Sequence, residues 1–301
     1  MTAALRCEKL VKRYGDVTAV DGLDLEVESG ECFGLLGPNG AGKTTTVEIL
    51  EGLTEPTAGS VEVLGMRWSD SERALRERIG LSLQETHFPE RLTVREVLRL
   101  FRSFFSAGRS VDEVLDLVSL REKQDAWTEK LSGGQRQRLA VAVGLVGDPQ
   151  VLFLDEPTTG LDPQSRRQLW DIITGFGKEG RTVLLTTHYM DEAEKLCNRV
   201  AIVDRGKVIA LGTPQALIDS LGGPQIVEVQ TQRPARDLGQ LAGVHAHKES
   251  DGAHLFTVEQ LHVALPEILR ALEPSGIENL VTRRATLEDV FVQLTGRRLR
   301  E

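Results

Sequence analysis

The chain has 301 residues, enough for two domains or for one large α/β domain with an appendage. Its 36 lysines and arginines against 45 aspartates and glutamates give a net charge of −9, the wrong sign for a protein that wraps nucleic acid unaided. The longest apolar run, from Leu139 to Val146, is far shorter than the roughly 20 residues that cross a bilayer, and the start of the chain lacks the pattern of a secretory signal, so the cytoplasm is the expected compartment.

Alternating apolar and polar residues predict half-exposed antiparallel strands over residues 5–14 and 18–27 and again at 61–64. Further short apolar runs, bounded by turn residues, predict buried strands with helical patterns between most of them. These runs lie at 31–36, 79–83, 151–154, 182–186 and 200–203. Together the patterns favour an α/β fold with a mainly parallel sheet, crossover helices and an antiparallel β subdomain.

Residues 86–147 are predicted to form a helical insert, because apolar residues there recur at helical spacing and no strand pattern appears. At the end of the core, a turn at 204–207 between two short apolar runs predicts a hairpin. A helix is expected to follow near 214–221.

The run Gly222-Gly223-Pro224 interrupts regular structure and sets a predicted boundary between a first domain, 1–222, and a second, 223–301. After this break, strand and helix patterns follow one another. They lie at 225–230, 253–258 and 277–282 for strands, and at 261–272 and 287–294 for helices. We therefore predict a small C-terminal α+β domain.

A phosphate-binding loop is the first candidate site. It is the run Gly37-Pro38-Asn39-Gly40-Ala41-Gly42-Lys43-Thr44, which follows a predicted strand and precedes a helical stretch beginning at Thr45. The glycines let backbone N–H groups turn inward and the helix presents its positive N-terminus, so the loop forms a nest for polyphosphate. We expect Lys43 to reach the β- and γ-phosphates and Thr44 to bind Mg²⁺. The alternative is a glycine-rich turn without chemistry.

Two acidic residues, Asp155 and Glu156, follow the predicted strand at 151–154. A carboxylate at the C-terminal edge of a parallel sheet lies where ligands bind in α/β folds. Asp155 is therefore placed for Mg²⁺ and Glu156 for the attacking water, as general base. Taken alone, the pair could also be a solvated strand end.

The run Leu131-Ser132-Gly133-Gly134-Gln135 contains a capping box, since Ser132 and Gln135 stand three residues apart before a helix expected at 136–146. Capping does not require two glycines, whereas a helix start that admits a γ-phosphate close to its backbone does. With this run the chain resembles the nucleotide-binding subunits of ABC transporters, over about residues 3–220. The resemblance implies a P-loop NTPase core of the ABC type, with ATP and Mg²⁺ as its ligands.

The resemblance also implies roles for four further residues. Tyr14 matches the aromatic residue on which adenine stacks, and Gln84 the glutamine that touches Mg²⁺ where the membrane subunit docks. Asp162 matches the D-loop aspartate, and His188 the histidine that contacts the γ-phosphate, so that Gln84 and His188 join Lys43 and Glu156 among the catalytic residues. From the residues alone, Asp162 also reads as a helix N-cap before Pro163, Tyr14 as an edge-strand residue and His188 as a polar strand end.

In this family two subunits pair head to tail, and each ATP lies between the Lys43 loop of one and the segment from Ser132 to Gln135 of the other. The resemblance implies a homodimer, or a pair with another ATPase subunit, that drives a separate polytopic permease from the cytoplasmic face of the membrane. Residues 187–194 and 286–295 resemble the exporter branch related to antibiotic-resistance pumps. The permease contact is expected between Gln84 and Phe105, where Phe88 and Leu92 are apolar residues in a polar loop.

The alternative is a soluble ABC-type ATPase that acts on ribosomes or DNA. The single cassette, the lack of sustained heptads and the acidic charge argue against it, and no nucleic-acid partner is expected. A GTPase is disfavoured because no N/T-K-x-D motif follows the phosphate loop. The cargo is not encoded in these motifs, since the permease encloses it.

Overall fold

A computed structural model of the protein describes residues 3–83, 86–233, 238, 240–250 and 253–296. The chain divides into two compact units, residues 1–210 and 211–301. The predicted boundary lies later, at 222, so the helix predicted near 214–221 falls in the second unit rather than in the first. None of the helices in the described ranges is long and apolar enough to cross a membrane.

The strands of the first unit form two sheets. They are β1 (Ala3–Tyr14), β2 (Val17–Glu28), β3 (Cys32–Leu36), β4 (Ala58–Val63), β5 (Ile79–Ser82), β6 (Val151–Asp155), β7 (Thr182–Thr187), β8 (Arg199–Asp204) and β9 (Lys207–Gly212), the last of which crosses the unit boundary. The larger sheet has the order β5-β6-β7-β3-β8-β9, in which β5, β6, β7, β3 and β8 run parallel. The smaller sheet has the antiparallel order β2-β1-β4. The predicted parallel core and antiparallel subdomain are both confirmed.

The central strands β3, β6 and β7 are buried along their whole lengths, as expected for strands of a parallel sheet covered on both faces. Their register brings their carboxyl ends to one edge. Asp155 at the end of β6 pairs with Thr186 of β7, and Leu36 at the end of β3 pairs with Thr187. Loops that follow these three strands therefore meet.

Helices of the first unit connect these strands and form the predicted insert. They are α1 (Lys43–Leu50), α2 (Trp68–Arg76), α3 (Val94–Arg102), α4 (Val111–Leu117), α5 (Gly133–Leu145), α6 (Pro163–Lys178) and α7 (Met190–Leu196), with 3-10 turns at Arg121–Lys123 and Thr128–Lys130. Capping boxes begin α3 at Thr93 and α4 at Ser110. The helical character of residues 86–147 is confirmed within the described ranges.

The second unit is a small α+β structure, as predicted. Its elements are α8 (Pro214–Asp219), β10 (Gln225–Thr231), β11 (Val244–Ser250), β12 (Ala253–Val258), α9 (Leu261–Leu272), β13 (Ile277–Arg284) and α10 (Leu287–Thr295). The strands form an antiparallel sheet of order β11-β12-β10-β13, and its core packs Val229 and Phe256 against Ile268 and Leu272 of α9. Strand β11 was not predicted, because only Val244 and Ala246 of its residues VHAHKES are apolar and the alternation stops after two of them.

Candidate nucleotide-binding site

The candidate site lies at the carboxyl ends of β3, β6 and β7. The loop from Gly37 to Gly42 follows β3 and leads directly into α1. Asp155 ends β6, Glu156 comes next, and His188 follows β7. These segments meet at one sheet edge, and the location agrees with the general rule for ligand sites in parallel sheets.

Two glycines of the phosphate loop are required by close packing. A Cβ on Gly37 would lie 2.2 Å from the carbonyl oxygen of Val203, and one on Gly42 would lie 2.3 Å from that of Ala19. Gly42 also has φ of 99°, a conformation that L side chains rarely adopt. Ala19 belongs to β2, so the antiparallel sheet supports one side of the loop.

Lys43 is folded over its own loop. Its Nζ donates hydrogen bonds to the carbonyl oxygens of Gly37, at 2.8 Å, and Pro38, at 3.2 Å, and lies 4.0 Å from Oε1 of Glu156. Burial lowers the pKa of this ammonium, while the carboxylates of Glu156 and Asp155 act in the opposite direction. The side chain is thus a buried cation held by backbone carbonyls, available to an anion that enters the loop.

Asp155 is a buried carboxylate, only 6% exposed. It accepts a hydrogen bond from the Thr186 hydroxyl. Burial raises the pKa of Asp155, and hydrogen bonds from Thr186 and Thr44 offset part of that effect. Asp155 and Thr44 therefore place two oxygen atoms that could bind a metal beside the phosphate loop.

These donors fit a magnesium ion that arrives with a nucleotide. Mg²⁺ usually takes one or two carboxylates from the protein and completes its shell with phosphate oxygens and water. Within the described ranges, no group of three or more His, Cys, Asp or Glu side chains could hold a metal without such help. Gln84, the third predicted metal ligand, lies outside the described residues.

Glu156 and His188 are in contact. Oε2 of Glu156 lies 3.2 Å from Nδ1 of His188 and accepts a hydrogen bond from the Thr159 hydroxyl at 3.2 Å. The backbone N–H of Glu156 donates to Oγ1 of Thr186 at 2.9 Å. Glu156 has φ of 45°, in the left-handed region, and such strain in a non-glycine residue is typical of functional sites. The contact between Glu156 and His188 was not predicted, because their roles were inferred separately.

Tyr14 lies at the end of β1 and is 49% exposed, with the Lys12 ammonium 4.9 Å from its ring centroid. An aromatic ring with an open face is suited to stacking. Asp162 caps α6, because its carboxylate accepts from the backbone N–H groups of Gln164 and Ser165, both at 3.0 Å. The hydrogen bond from the Ser165 hydroxyl, with those backbone bonds, lowers the pKa of Asp162. The predicted N-cap is confirmed.

The Ser132 segment begins α5 with the predicted capping box. The backbone N–H of Gln135 donates to Oγ of Ser132 at 3.2 Å, and that of Ser132 donates to Oε1 of Gln135 at 3.0 Å. Ser132 and Gly133 are exposed, whereas Gly134 is buried. This helix start thus presents a backbone edge to the outside.

Packing requires glycine at one of the two glycine positions of this segment but not at the other. A Cβ on Gly134 would lie 2.2 Å from Oγ of Ser165 in α6, so packing within one chain already requires glycine there. A Cβ on Gly133 would meet nothing within 4 Å. Gly133 is therefore the glycine that leaves open space for an approaching phosphate.

Sequence reasoning missed two supporting residues. Thr186 bonds both to Asp155 and to the backbone of Glu156, and its only signal is a hydroxyl near the end of a buried strand. Glu192 of α7 is fully buried and accepts a hydrogen bond from Trp170 of α6. No local motif marks Glu192, because its partner lies on another helix.

Fold and site together define a P-loop ATPase of the cassette type. The family model described as ABC transporter matches residues 20–159. Two relatives named Nod factor export ATP-binding protein I are 43% identical to the chain. That of Burkholderia lata aligns over 296 residues with 96% of each chain covered, and that of Cupriavidus metallidurans over 309 residues with 100% of each covered.

A solved structure of the same kind is the ATP-binding cassette MJ0796, a dimer in a post-hydrolysis state with ADP and Pi. It superimposes with a TM-score of 0.63 at 25% identity, covering 69% of this chain and 98% of that one. The chain belongs to the ATP-binding subunits of ABC transporters. It is an ATPase, and the predictions of the fold and of ATP binding are confirmed.

Proposed function

We propose that two copies of this protein, or one copy and a related ATPase subunit, close head to tail around two ATP molecules and drive a separate membrane permease. One observation carries this proposal: Ser132 and Gly133 are exposed, so the N-terminus of α5 is open to an anion held by another subunit. The Ser132 hydroxyl already caps its own helix, while Gly133 leaves the backbone beside it open. A γ-phosphate bound to one subunit is the anion that the helix start of the other would accept.

Hydrolysis follows from the residues around Glu156. Glu156 accepts a proton from the attacking water, and His188, 3.2 Å away, orients that carboxylate and contacts the γ-phosphate. Lys43 exchanges the carbonyl oxygens of Gly37 and Pro38 for phosphate oxygens. Tyr14 stacks on adenine, and Asp162 holds the start of α6 close to the ATP site shared between the two subunits.

Thr44 and Asp155 would hold Mg²⁺, with Gln84 as a further ligand. The ion, when bound, neutralises charge on the β- and γ-phosphates. Thr45, half-buried in the first turn of α1, and the N–H groups of the loop from Gly37 to Gly42 surround the phosphates.

A groove of 790 Å³ beside β5, α3 and α5 supports a permease contact. Its walls include Leu83, Phe101, Phe104 and Phe105, and Phe104 is 67% exposed. Large exposed apolar surface on a monomer is typical of an interaction site. Phe88 and Leu92, the apolar residues expected at this contact, are half-buried, and Phe88 lines a different pocket. Within the expected segment we therefore assign the contact to the Phe104 groove.

The relatives named for Nod factor export support export as the direction of transport, with the protein held at the cytoplasmic face of the membrane through its permease. The permease, rather than this subunit, would enclose the cargo and select it. The same relatives favour a transport subunit over an ATPase of ribosomes or DNA.

The test of the permease contact is capture from detergent extracts of the native membrane. Phe104→Asp should lower recovery of a polytopic membrane protein at least about tenfold, because a charge would enter an apolar interface. Leu53→Asp, 51% exposed in the parent chain and outside the groove, is the matched control. Unchanged recovery with a folded Phe104→Asp variant, or capture of ribosomes instead of a membrane protein, would contradict the proposal.

A further inference from the structure

Glu192 is a carboxylic acid in a place where an apolar side chain would ordinarily pack. It lies in the first turn of α7 and has no exposed surface. Burying such a group is costly unless it is hydrogen-bonded. A carboxylic acid at this position therefore calls for a role that a leucine could not fill.

Glu192 has one hydrogen-bond partner, in α6, and two threonine hydroxyls nearby. Oε1 accepts a hydrogen bond from Nε1 of Trp170, in α6, at 2.9 Å. Oε2 is buried and makes no hydrogen bond within the described residues. Burial raises the pKa of Glu192, and the nearby hydroxyls of Thr187 and Thr158, together with Trp170, offset part of that effect.

Trp170 and the two nearby threonines are each close in sequence to a residue of the ATP site. Thr187 immediately precedes His188, and Thr158 lies two positions after Glu156. Trp170 is on the helix that Asp162 caps. Glu192 thus stands where the His188 turn, the segment after Glu156 and α6 converge.

A second contact joins α6 to the His188 turn. The Arg166 guanidinium lies 4.3 Å from the ring centroid of Tyr189, and the rings of Tyr189 and His188 have centroids 4.1 Å apart. Arg166 also lies 3.8 Å from Asp191. The helix capped by Asp162 and the turn that carries His188 are therefore held together on two sides, one aromatic and one through Glu192.

We propose that Glu192 is a positioning residue for ATP hydrolysis: its hydrogen bond with Trp170 ties α7, and with it the preceding His188 turn, to α6, and so fixes His188 relative to Glu156. It does not touch ATP. The inference rests on the roles proposed above for Glu156 and His188. Because a displacement of about 1 Å in reacting groups can lower a rate by about 10²-fold, loss of this bridge should reduce turnover without reducing ATP binding.

The experiment compares Glu192→Gln and Glu192→Leu in the full chain. Glutamine keeps the side-chain shape and the oxygen that accepts from Nε1 of Trp170, so its kcat should stay within about twofold of the parent. Leucine fills the space without hydrogen bonds, so kcat should fall at least about tenfold while KM for ATP changes less than about twofold. Glu194→Leu, exposed on the same helix, is the matched control.

Two further measurements keep the test decisive if leucine impairs folding. Trp170→Phe keeps an aromatic ring and removes only the N–H donor, and it should lower kcat at least about threefold with KM unchanged. In a Trp68→Phe/Trp127→Phe background Trp170 is the remaining tryptophan of three. Its emission should change when Mg²⁺-ATP is added to the parent and to Glu192→Gln, and should change much less in Glu192→Leu.

Three results would overturn the proposal: folded Glu192→Leu with parental kcat and parental Trp170 response, Trp170→Phe with parental kcat, or Glu192→Gln impaired as severely as Glu192→Leu. The roles of Glu156 and His188 are judged separately. If Glu156→Gln abolishes turnover while the Glu192 variants hydrolyse ATP normally, only the positioning role is wrong.

Discussion

Replacing Glu156 with glutamine tests the proposed general base most simply. Glutamine keeps the side-chain shape and can still accept the hydrogen bond from the Thr159 hydroxyl, but it cannot take a proton from water. Loss of a general base typically lowers a rate by about 10² to 10⁴, which corresponds to about 2.7 to 5.4 kcal/mol of activation free energy. We expect turnover of Glu156→Gln to be lower than that of the parent by at least this factor.

ATP binding should respond differently from turnover. Nζ of Lys43 lies 4.0 Å from Oε1 of Glu156, and both side chains are largely buried. At that separation the gross attraction between opposite charges is on the order of 4 kcal/mol near a protein surface, before desolvation is subtracted. This attraction competes with phosphate for Lys43, so its removal should leave ATP affinity unchanged or increase it.

The assay pairs phosphate release at saturating Mg²⁺-ATP with equilibrium binding of a fluorescent ATP analogue. The exposed Glu122→Gln is the control for loss of one negative charge. Turnover of Glu156→Gln within tenfold of the parent would refute the role of general base. A parallel loss of ATP affinity would refute the competition inferred between Glu156 and phosphate.

Two further predictions concern stability. Gly134→Ala should destabilise the fold by about 1 to 3 kcal/mol, because its Cβ meets Ser165, whereas Gly133→Ala should not destabilise it; urea denaturation with equal losses for both would contradict the packing argument. Burial raises the pKa of Glu51 to about 8. Between about pH 5 and 8 the folded state therefore keeps a proton that the unfolded state has released, because the unfolded carboxyl has its ordinary pKa. The free energy of unfolding should fall by on the order of 1 kcal/mol per pH unit over this range. Glu51→Gln should remove most of this slope in thermal melts, and the exposed Glu122→Gln should keep it; a slope unchanged in Glu51→Gln would show that burial of Glu51 is not its cause.

The features that the sequence predicted correctly have determinants that are contiguous in the chain. The phosphate loop between β3 and α1, the capping box at Ser132 and the N-cap at Asp162 each depend on a few neighbouring residues. Strand register then brings the segments together, since parallel pairing of β6, β7 and β3 aligns their carboxyl ends. Local pattern and the general rule for parallel sheets together account for the meeting of these segments at one edge.

The features that escaped prediction depend on contacts between distant segments. The need for glycine at Gly134 comes from Ser165, and the partner of Glu192 is Trp170 on another helix. Nothing in the local pattern of either segment reports the other. Strand β11 was missed for a different reason: most of its residues are polar, and its pairing with β12 is what identifies it as a strand.

Complementation between two inactive variants tests the head-to-tail dimer most directly. Gly133→Asp adds a carboxylate at an exposed helix start without a clash in its own chain, yet it would repel the γ-phosphate of a partner. Lys43→Ala disables the other half of the site. In a Glu156→Gln background, analytical ultracentrifugation with Mg²⁺-ATP should show monomers for either variant alone and dimers when the two are mixed, because a mixed pair retains one intact composite site. The head-to-tail dimer would be contradicted if Gly133→Asp alone formed ATP-dependent dimers as the parent does, or if the mixture stayed monomeric.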